Sequence, residues 1–387
     1  MADAKIDPEK SFESGSSRHE AGPRCECSPE CCGWSSAEGR EERYIQESGH
    51  WVDRRVETRA GSVPVVRTKL SRLDILGKVK ARIGIGRMNY KVEPGLYAVG
   101  NARPDSPVFV SANYKLSFDT LRCGLSGLDA WILVLDTKGI NVWCAAGKGT
   151  FGTDELVERI EKSGLDRVVS HRTLILPQLG APGVAAHEVT RRTRFKVVYG
   201  PVRASDIRRY LAAGMEATPE MRRVRFNIKD RFVLTAIELT NPFKYLVVAT
   251  AVFWVFTLLG LPLLSWKAWY PYLGAILIGG FIVPVLLPWI PGRPFAWKGW
   301  LLGVAWAVFV NFKQGLLPLA AESWEQAVAR LLILPAISAF LAMGFTGSST
   351  YTSLSGVLKE MRYAVPAILG SASAGVVFLL IGLLQGF

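Results

Sequence analysis

From Lys244 to Phe387 the sequence is dominated by five apolar stretches, at about 245–265, 270–290, 297–317, 327–347 and 364–385. Each approaches the roughly 20 residues that an α-helix needs to cross a bilayer. Helices satisfy their own backbone groups inside lipid, so this feature predicts an all-α, five-helix transmembrane domain over 244–387. Trp266, Trp269, Trp289, Trp297 and Trp324 fall near the stretch ends, where interfacial aromatic belts sit. Arg293, Lys298, Lys359 and Arg362 lie in or beside the loops at 291–296 and 348–363. The opposite loops hold Lys267, Lys313 and Arg330, set against Glu322 and Glu325. This asymmetry predicts a multi-pass protein of the cell (inner) membrane, with its N-terminal domain cytoplasmic and its C-terminus outside. No carboxylate occupies the middle of a stretch, where a coupled transporter needs a relay, so an anchor is favoured over a pump.

The hydrophobic content of 49% and the mean hydropathy of +0.21 trace to this region. It holds 8 Lys and Arg and 3 Asp and Glu, leaving 38 and 30 before it, so the net charge of +13 divides into +5 and +8. The densest basic run, Arg222 to Arg231, stands just before the first apolar stretch. An anionic membrane surface explains that placement better than nucleic acid does. The first 60 residues lack the apolar core of a signal peptide, which predicts that the domain after them lies in the cytosol with its thiols reduced. Residues 1–65 are rich in Ser, Glu, Gly and Arg, too poor in apolar residues to bury a core, and are predicted to be disordered. Cys25, Cys27, Cys31 and Cys32 fall there. Four close thiols suit a soft cation such as Zn(II) or Hg(II), but the spacing fits neither a zinc pair nor a ferredoxin run, and a passive tail competes with metal capture.

Residues 66–235 alternate between strand and helix patterns. Predicted strands are Leu96–Val99, Val108–Ser111, Trp131–Asp136, Thr173–Leu176 and Phe195–Tyr199. Predicted helices are Leu116–Leu125, Thr153–Ser163, Val184–Arg191 and Ser205–Ala213; Asp154 and Glu155 open the second of these and Gly164 closes it. Such alternation predicts an α/β domain with a Rossmann-like, mostly parallel sheet. The loops Ala112–Tyr114, Thr137–Cys144, Pro177–Gly183 and Gly200–Arg203 would then share the carboxyl edge, where open α/β sheets bind ligands. On the residues alone, ordinary turn formation is the better explanation of the Gly and Pro residues of the last two loops. Gly84-Ile-Gly86 is no dinucleotide fingerprint, since Asn89 stands where a third glycine is needed.

Within the second loop lies Asn141-Val-Trp-Cys-Ala-Ala-Gly-Lys148. A lone cysteine between Trp and Ala is most simply a small core residue. Placed where a strand gives way to a helix, the same cysteine would instead be favoured as thiolate, the form that binds metals. A P-loop is excluded, because Val142 and Gly149 replace its first glycine and its Ser or Thr. A cysteine-nucleophile site needs a histidine, and His171 and His187 are the domain's two options, both read as structural or solvent-facing. No Asp-x-His-x-x-Gly string occurs either.

The string Asn141, Val142, Trp143, Cys144, Ala145, Ala146, Gly147, Lys148 resembles the signature of the corrinoid proteins of microbial mercury methylation, the HgcA family. A more distant resemblance, to the corrinoid iron–sulfur protein of the acetyl-CoA pathway, runs through Ser111–Tyr114, Leu176–Gly183 and Tyr199–Arg203. Together they cover about residue 70 to the end. The resemblance implies a corrinoid (cobalamin-type, cobalt) cofactor with Cys144 as its lower axial ligand. It further implies that Asn141–Lys148, Asn113, Tyr114, Gln178, Gly180, Tyr199 and Gly200 bind that cofactor. The activity implied is a corrinoid-dependent methyltransferase passing methyl, as a carbanion equivalent favoured by thiolate ligation, to Hg(II) as substrate. The implied partners are a ferredoxin-like protein with two [4Fe–4S] clusters as reductant and a methyl donor from the folate-linked one-carbon pathway. Two alternatives stand beside it: a corrinoid methyl carrier of acetyl-CoA-type one-carbon metabolism, and a membrane transporter or sensor with a ligand-binding cytosolic domain.

Overall fold

In the computed structural model the described residues are 49–236, 238–240, 251, 254, 266–316, 324–351 and 354–385. Cys25, Cys27, Cys31 and Cys32 lie outside them, as does almost all of the first apolar stretch.

A seven-stranded sheet, in the order β1-β2-β3-β5-β4-β6-β7, organises the α/β domain. Its strands are β1 (Val52–Thr58), β2 (Gly61–Val66), β3 (Gly95–Val99), β4 (Val108–Ala112), β5 (Ala130–Leu135), β6 (Thr173–Leu176) and β7 (Lys196–Tyr199). The helices are α1 (Arg72–Arg82), α2 (Lys115–Gly124), α3 (Val142–Lys148), α4 (Thr153–Ser163), α5 (Leu165–Val168), α6 (Ala186–Thr193) and α7 (Ile207–Ala212). β5, β4, β6 and β7 are mutually parallel, whereas β3 is antiparallel to β5 and β1 antiparallel to β2. β2 is parallel to β3, so four of the six pairings are parallel, as expected of a mostly parallel sheet; the antiparallel placement of β3 against β5 is what departs from a fully parallel one. The short helix-free link at 100–107 is the reason: without a crossover helix the chain reverses after β3, leaving a slot that β5 later fills.

β4 and β5 are buried along their whole length, as expected for strands covered on both faces. Val108, Val110, Leu133 and Leu135 pack with Ala145 and Ala146 of α3 and Leu156, Val157 and Ile160 of α4. Phe109, Ile132 and Val134 pack on the other face with Phe118 of α2 and Ile207 and Tyr210 of α7. Each such fully buried Leu, Ile or Phe is worth about 1.5–3 kcal/mol of hydrophobic stabilisation. The segment 52–66, expected to be disordered, forms the β1–β2 hairpin. β1 carries four charged residues among seven and so reads as a tail, yet a charged edge strand is protected from pairing with other chains. The apolar half of the hairpin is β2, whose Val63 and Val65 enter the core.

A buried charge network joins α1 to α2. Lys115 Nζ lies 2.8 Å from Asp74 and 2.6 Å from Asp119, and the Arg122 guanidinium lies 2.9 Å from Asp74 and 2.7 Å from Asp119. Ser71 caps α1 reciprocally with Asp74. Burial alone would raise the Asp74 carboxyl, but the Lys115 and Ser71 hydrogen bonds and the Lys115 and Arg122 charges outweigh it, and the pKa falls well below the usual carboxylate range.

The C-terminal region is helical. Residues 228–236 form α8, which resumes at 238–240. There follow α9 (Trp266–Leu277), a π turn (Ile278–Ile282), α10 (Val283–Leu286), α11 (Phe295–Lys313), α12 (Trp324–Gly344) and α13 (Leu354–Gln385). Trp269–Leu286, Phe295–Lys313, Trp324–Gly347 and Ser355–Gly382 are each long and apolar enough to cross a membrane. α12 is the hub. A Cβ on Gly279, Gly299 or Gly303 would come within 2.8, 2.8 and 2.6 Å of the Cα atoms of Ser338, Ala339 and Pro335. Small residues allow this approach, the usual device of helix packing in lipid. Arg330, assigned to a loop by its charge, instead lies inside α12, half-buried, and Glu325 is buried in the first turn of that helix.

The sheet's carboxyl edge is tied to α8, and α8 with the segment before it to these helices. Arg203, after β7, pairs with Asp230 of α8 at 3.1 Å. Arg231 donates to the Val285 carbonyl at 3.0 Å and lies over the Trp289 ring, while Phe226 is buried among Ile278, Leu287 and Phe345.

Candidate functional site

The site is built around Asn113, at the end of β4. Its Oδ1 accepts from the Thr137 backbone N–H (3.1 Å), the Thr137 hydroxyl (2.8 Å) and the Gly139 N–H (3.0 Å), and its Nδ2 donates to Asp136 (3.1 Å). One buried amide thus shapes the loop that leaves β5. Lys138 and Gly139 are both left-handed, at φ 57° and 73°, which turns the chain sharply into α3. Burial would raise the Asp136 carboxyl; the hydrogen bonds from the Lys138 ammonium and backbone N–H reverse that and hold it below its ordinary value.

Asn141 caps α3, its Oδ1 accepting from the Cys144 N–H at 2.9 Å, and Gly149 ends the helix at φ 80°. The helix buries Val142, Ala145 and Ala146, one face at 3.6-residue spacing. Trp143, Cys144, Gly147 and Lys148 are therefore turned outward, with Trp143 40% exposed. The cysteine is not a core residue. Beneath α3 lies the loop 177–183, held close because a side chain on Gly183 would strike the Phe151 carbonyl and, at 3.0 Å, Ala146 Cα.

A cavity of about 380 Å³ opens beside this helix. Tyr114 after β4, Asn141, Val142 and Trp143 after β5, Pro177 and Leu179 after β6, and Gly200 and Pro201 after β7 all line it. The four loops expected at the carboxyl edge thus meet around one space. Leu116, Ser117 and Thr120 of α2 close its side, residues that a loop-based reading of the sequence missed; the signal available was the start of α2 directly after Tyr114. The hydroxyl of Tyr114 is buried without a hydrogen-bond partner, and so is Oε1 of Gln178. Burial raises the Tyr114 hydroxyl's pKa, against the opposing charges of Arg87 and Arg82.

The other expected site residues fall elsewhere. Ala145 and Ala146 face the core, and Asn113 is consumed by loop hydrogen bonds. Gly180 packs under the Phe151 ring, and Tyr199 donates to the Val184 carbonyl at 2.7 Å. Cys144, Gly147 and Lys148 stand on the outer surface of α3. Among the described residues no group of three or more His, Cys, Asp or Glu could hold a metal ion. Any metal brought to Cys144 would have to arrive with most of its ligands.

Comparison with known proteins places this domain. A family model described as CO dehydrogenase/acetyl-CoA synthase delta subunit matches residues 43–211. The acetyl-CoA decarbonylase/synthase complex subunit gamma of Archaeoglobus fulgidus is 35% identical over 127 residues, 32% of this chain and 27% of that protein. The gamma subunit of Methanopyrus kandleri is 32% identical over 123 residues, 31% of this chain and 26% of its own length. That of Methanocaldococcus jannaschii is 38% identical over 92 residues, 23% and 19% respectively. The chain thus spans about a quarter of the length of the first of these relatives, and the helices from Trp266 onward lie outside the family match.

These matches correct the functional expectation. They lie with subunits of acetyl-CoA complexes, over about a hundred residues, whereas the mercury-methylation resemblance rested on an eight-residue string. With that resemblance fall the mercury methyltransferase activity, Hg(II) as substrate, the two-cluster ferredoxin-like reductant and the folate-linked methyl donor.

Proposed function

We propose that the chain is a membrane-anchored corrinoid carrier of acetyl-CoA-type one-carbon metabolism, working beside the other subunits of a decarbonylase/synthase-like complex. The observation that carries this reading is the cavity at the carboxyl edge, formed by all four loops in a domain similar to the gamma subunits. Its size lies in the range of small-molecule and cofactor pockets.

The residues present fit a corrinoid. Tyr114, in the cavity wall, keeps a buried hydroxyl without a hydrogen-bond partner, and a Cβ at Gly147 would meet nothing within 4 Å, which leaves the outer face of α3 open to a flat ligand. A corrinoid, when bound, supplies the cobalt that takes up and passes on a methyl group. Cys144, exposed on α3, is the protein donor for that metal, and Asn141 holds the first turn that presents it. Trp143 and Val142 form the apolar wall beside it, and Tyr114 orients the ligand from the opposite loop.

The helices from α9 onward serve as the anchor. Arg293, Lys298, Lys359 and Arg362 cluster at the end where Glu360 accepts from the Ala296 N–H at 2.6 Å, which supports a cytoplasmic assignment for that end and for the α/β domain. Five spans, the first lying outside the described residues, would leave the C-terminus outside.

The test is anaerobic purification of the full chain in detergent, incubation with a cobalamin and removal of the excess. Retained colour, a spectrum changed in Cys144→Ala, and methyl exchange with thiol or nickel acceptors are expected. A colourless protein that takes up no corrinoid would overturn the reading in favour of a transporter or sensor.

A further inference from the structure

Among the described residues 49–214, seven large apolar side chains are exposed, and six of them fall between Leu73 and Met88. Leu73, Ile75, Leu76 and Val79 of α1, with Ile85 and Met88 after it, are each 50–61% exposed. Ile75, Leu76 and Val79 share one helical face, so the exposure is a continuous strip, larger than a soluble surface ordinarily leaves uncovered.

The charges around the strip are of one sign. From Arg72 to Lys91 the sequence has Arg72, Lys78, Lys80, Arg82, Arg87 and Lys91. Its single acid, Asp74, is buried and neutralised by Lys115 and Arg122. An apolar strip flanked by Lys and Arg is the pattern of a helix lying in a membrane interface.

The position of α1 agrees. A Cβ at Gly84 would lie 3.8 Å from the hydroxyl of Thr240, at the end of α8. One residue earlier, Leu239 Cδ2 comes within 3.1 Å of the corresponding position of Gly280, which belongs to the membrane-crossing stretch Trp269–Leu286. The turn after α1 therefore sits level with the membrane helices rather than above them.

We propose that α1 and the turn through Met88 form an interfacial membrane element, with Leu76, Val79, Ile85 and Met88 dipped into an anionic leaflet and Lys78 and Lys80 at its headgroups. This rests on the membrane-anchored reading above. It gives the α/β domain a lipid attachment of its own. The Met88 carbonyl lies 2.9 Å from a Cβ position on Gly139, so that attachment adjoins the loop that presents Cys144.

The experiment places a photoreactive benzoylphenylalanine at Leu76, Ile85, Phe309 or Asp105 in the full chain, held in nanodiscs of phosphatidylcholine and phosphatidylglycerol. Adducts are read by mass spectrometry after irradiation. Labels at Leu76 and Ile85 are expected to capture lipid as the exposed α11 position Phe309 does, while the loop position Asp105 captures none. The pair Lys78→Glu and Lys80→Glu should lower the Leu76 yield roughly threefold or more in anionic discs and leave it unchanged in phosphatidylcholine alone. Lipid capture at Phe309 without capture at Leu76 and Ile85, or crosslinks from these two to protein, would overturn the proposal and leave the membrane anchor standing. No lipid capture at Phe309 would overturn the anchor itself, and the proposal with it. A charge-reversed pair with unchanged yield would overturn the anionic preference.

Discussion

The α/β domain and the apolar C-terminal helices solve the problem of burying polar groups in opposite ways. In the α/β domain, full charges are taken inside and matched to one another: Asp74 and Asp119 each meet both Lys115 and Arg122. In the helical region, buried polar groups turn to the backbone. Lys298 Nζ donates to the Leu287 and Ile290 carbonyls at 2.5 and 2.8 Å, Ser338 to Ala275 and Asn311 to Ala327. The packing differs in the same sense. Large branched side chains interdigitate across the sheet, where water expulsion drives association. Glycines and alanines bring the helices together around α12, the packing expected where the surroundings are as apolar as leucine and only close contact gains energy. A given type of substitution should therefore have its largest effect in only one of the two regions.

The largest effect is expected for Arg122→Met, which leaves two buried carboxylates facing one lysine. Stability of the α/β domain should fall by about 3–5 kcal/mol in a denaturant titration. A loss below ~1 kcal/mol would mean the network is far better hydrated than its burial indicates. Gly299→Val comes next and inverts the comparison. Overpacking against Ser338 and Ala339 should cost about 1–3 kcal/mol, seen as helix loss at lower SDS while the near-UV signal of the α/β domain is unmoved.

A smaller effect is the acid dependence of Asp74. Its folded pKa lies below the unfolded value near 3.8, so its contribution is complete above that value and is lost as the pH falls through the folded one. Asp74→Asn should be less stable than the natural chain at pH 7, and the gap between the two should close as acid is added. A gap that stays constant to pH 2 would contradict the assignment. The smallest is Asn141→Ala, which removes the cap of α3 and should cost about 1 kcal/mol, with faster amide exchange at Cys144.

Much of the architecture was legible. Leu96–Val99, Val108–Ser111 and Thr173–Leu176 stood out as strands because apolar β-formers were bounded by Pro, Gly and polar residues. Helix Thr153–Ser163 was delimited by its acidic start and Gly164. The carboxyl-edge loops converged because four strands run the same way. The mixed order of the sheet was not legible, since β3 and β5 are paired through a fold that no local period encodes. Nor was the charge network: Asp74 and Lys115 are 41 residues apart, and each alone reads as a solvated side chain. β1 was hidden by its charges. At the site, the candidate residues fall on four loops that the fold does bring together, while the hydrogen bonds by which Asn113 builds the loop after β5, and the outward turn of Cys144, depend on tertiary packing that no local pattern shows. The motif itself misdirected the family reading, because a string of eight residues describes one short helix and its cap.

The carboxyl edge of the sheet is the proposed seat of a corrinoid. Hydrogen exchange of the full chain, with and without bound cobalamin, tests it most directly. Protection is predicted in 112–116, 137–149, 177–183 and 200–203, with the β1–β2 hairpin and α12 unchanged. Protection confined to the membrane helices, or none in the α3 loop despite bound cobalamin, would contradict it.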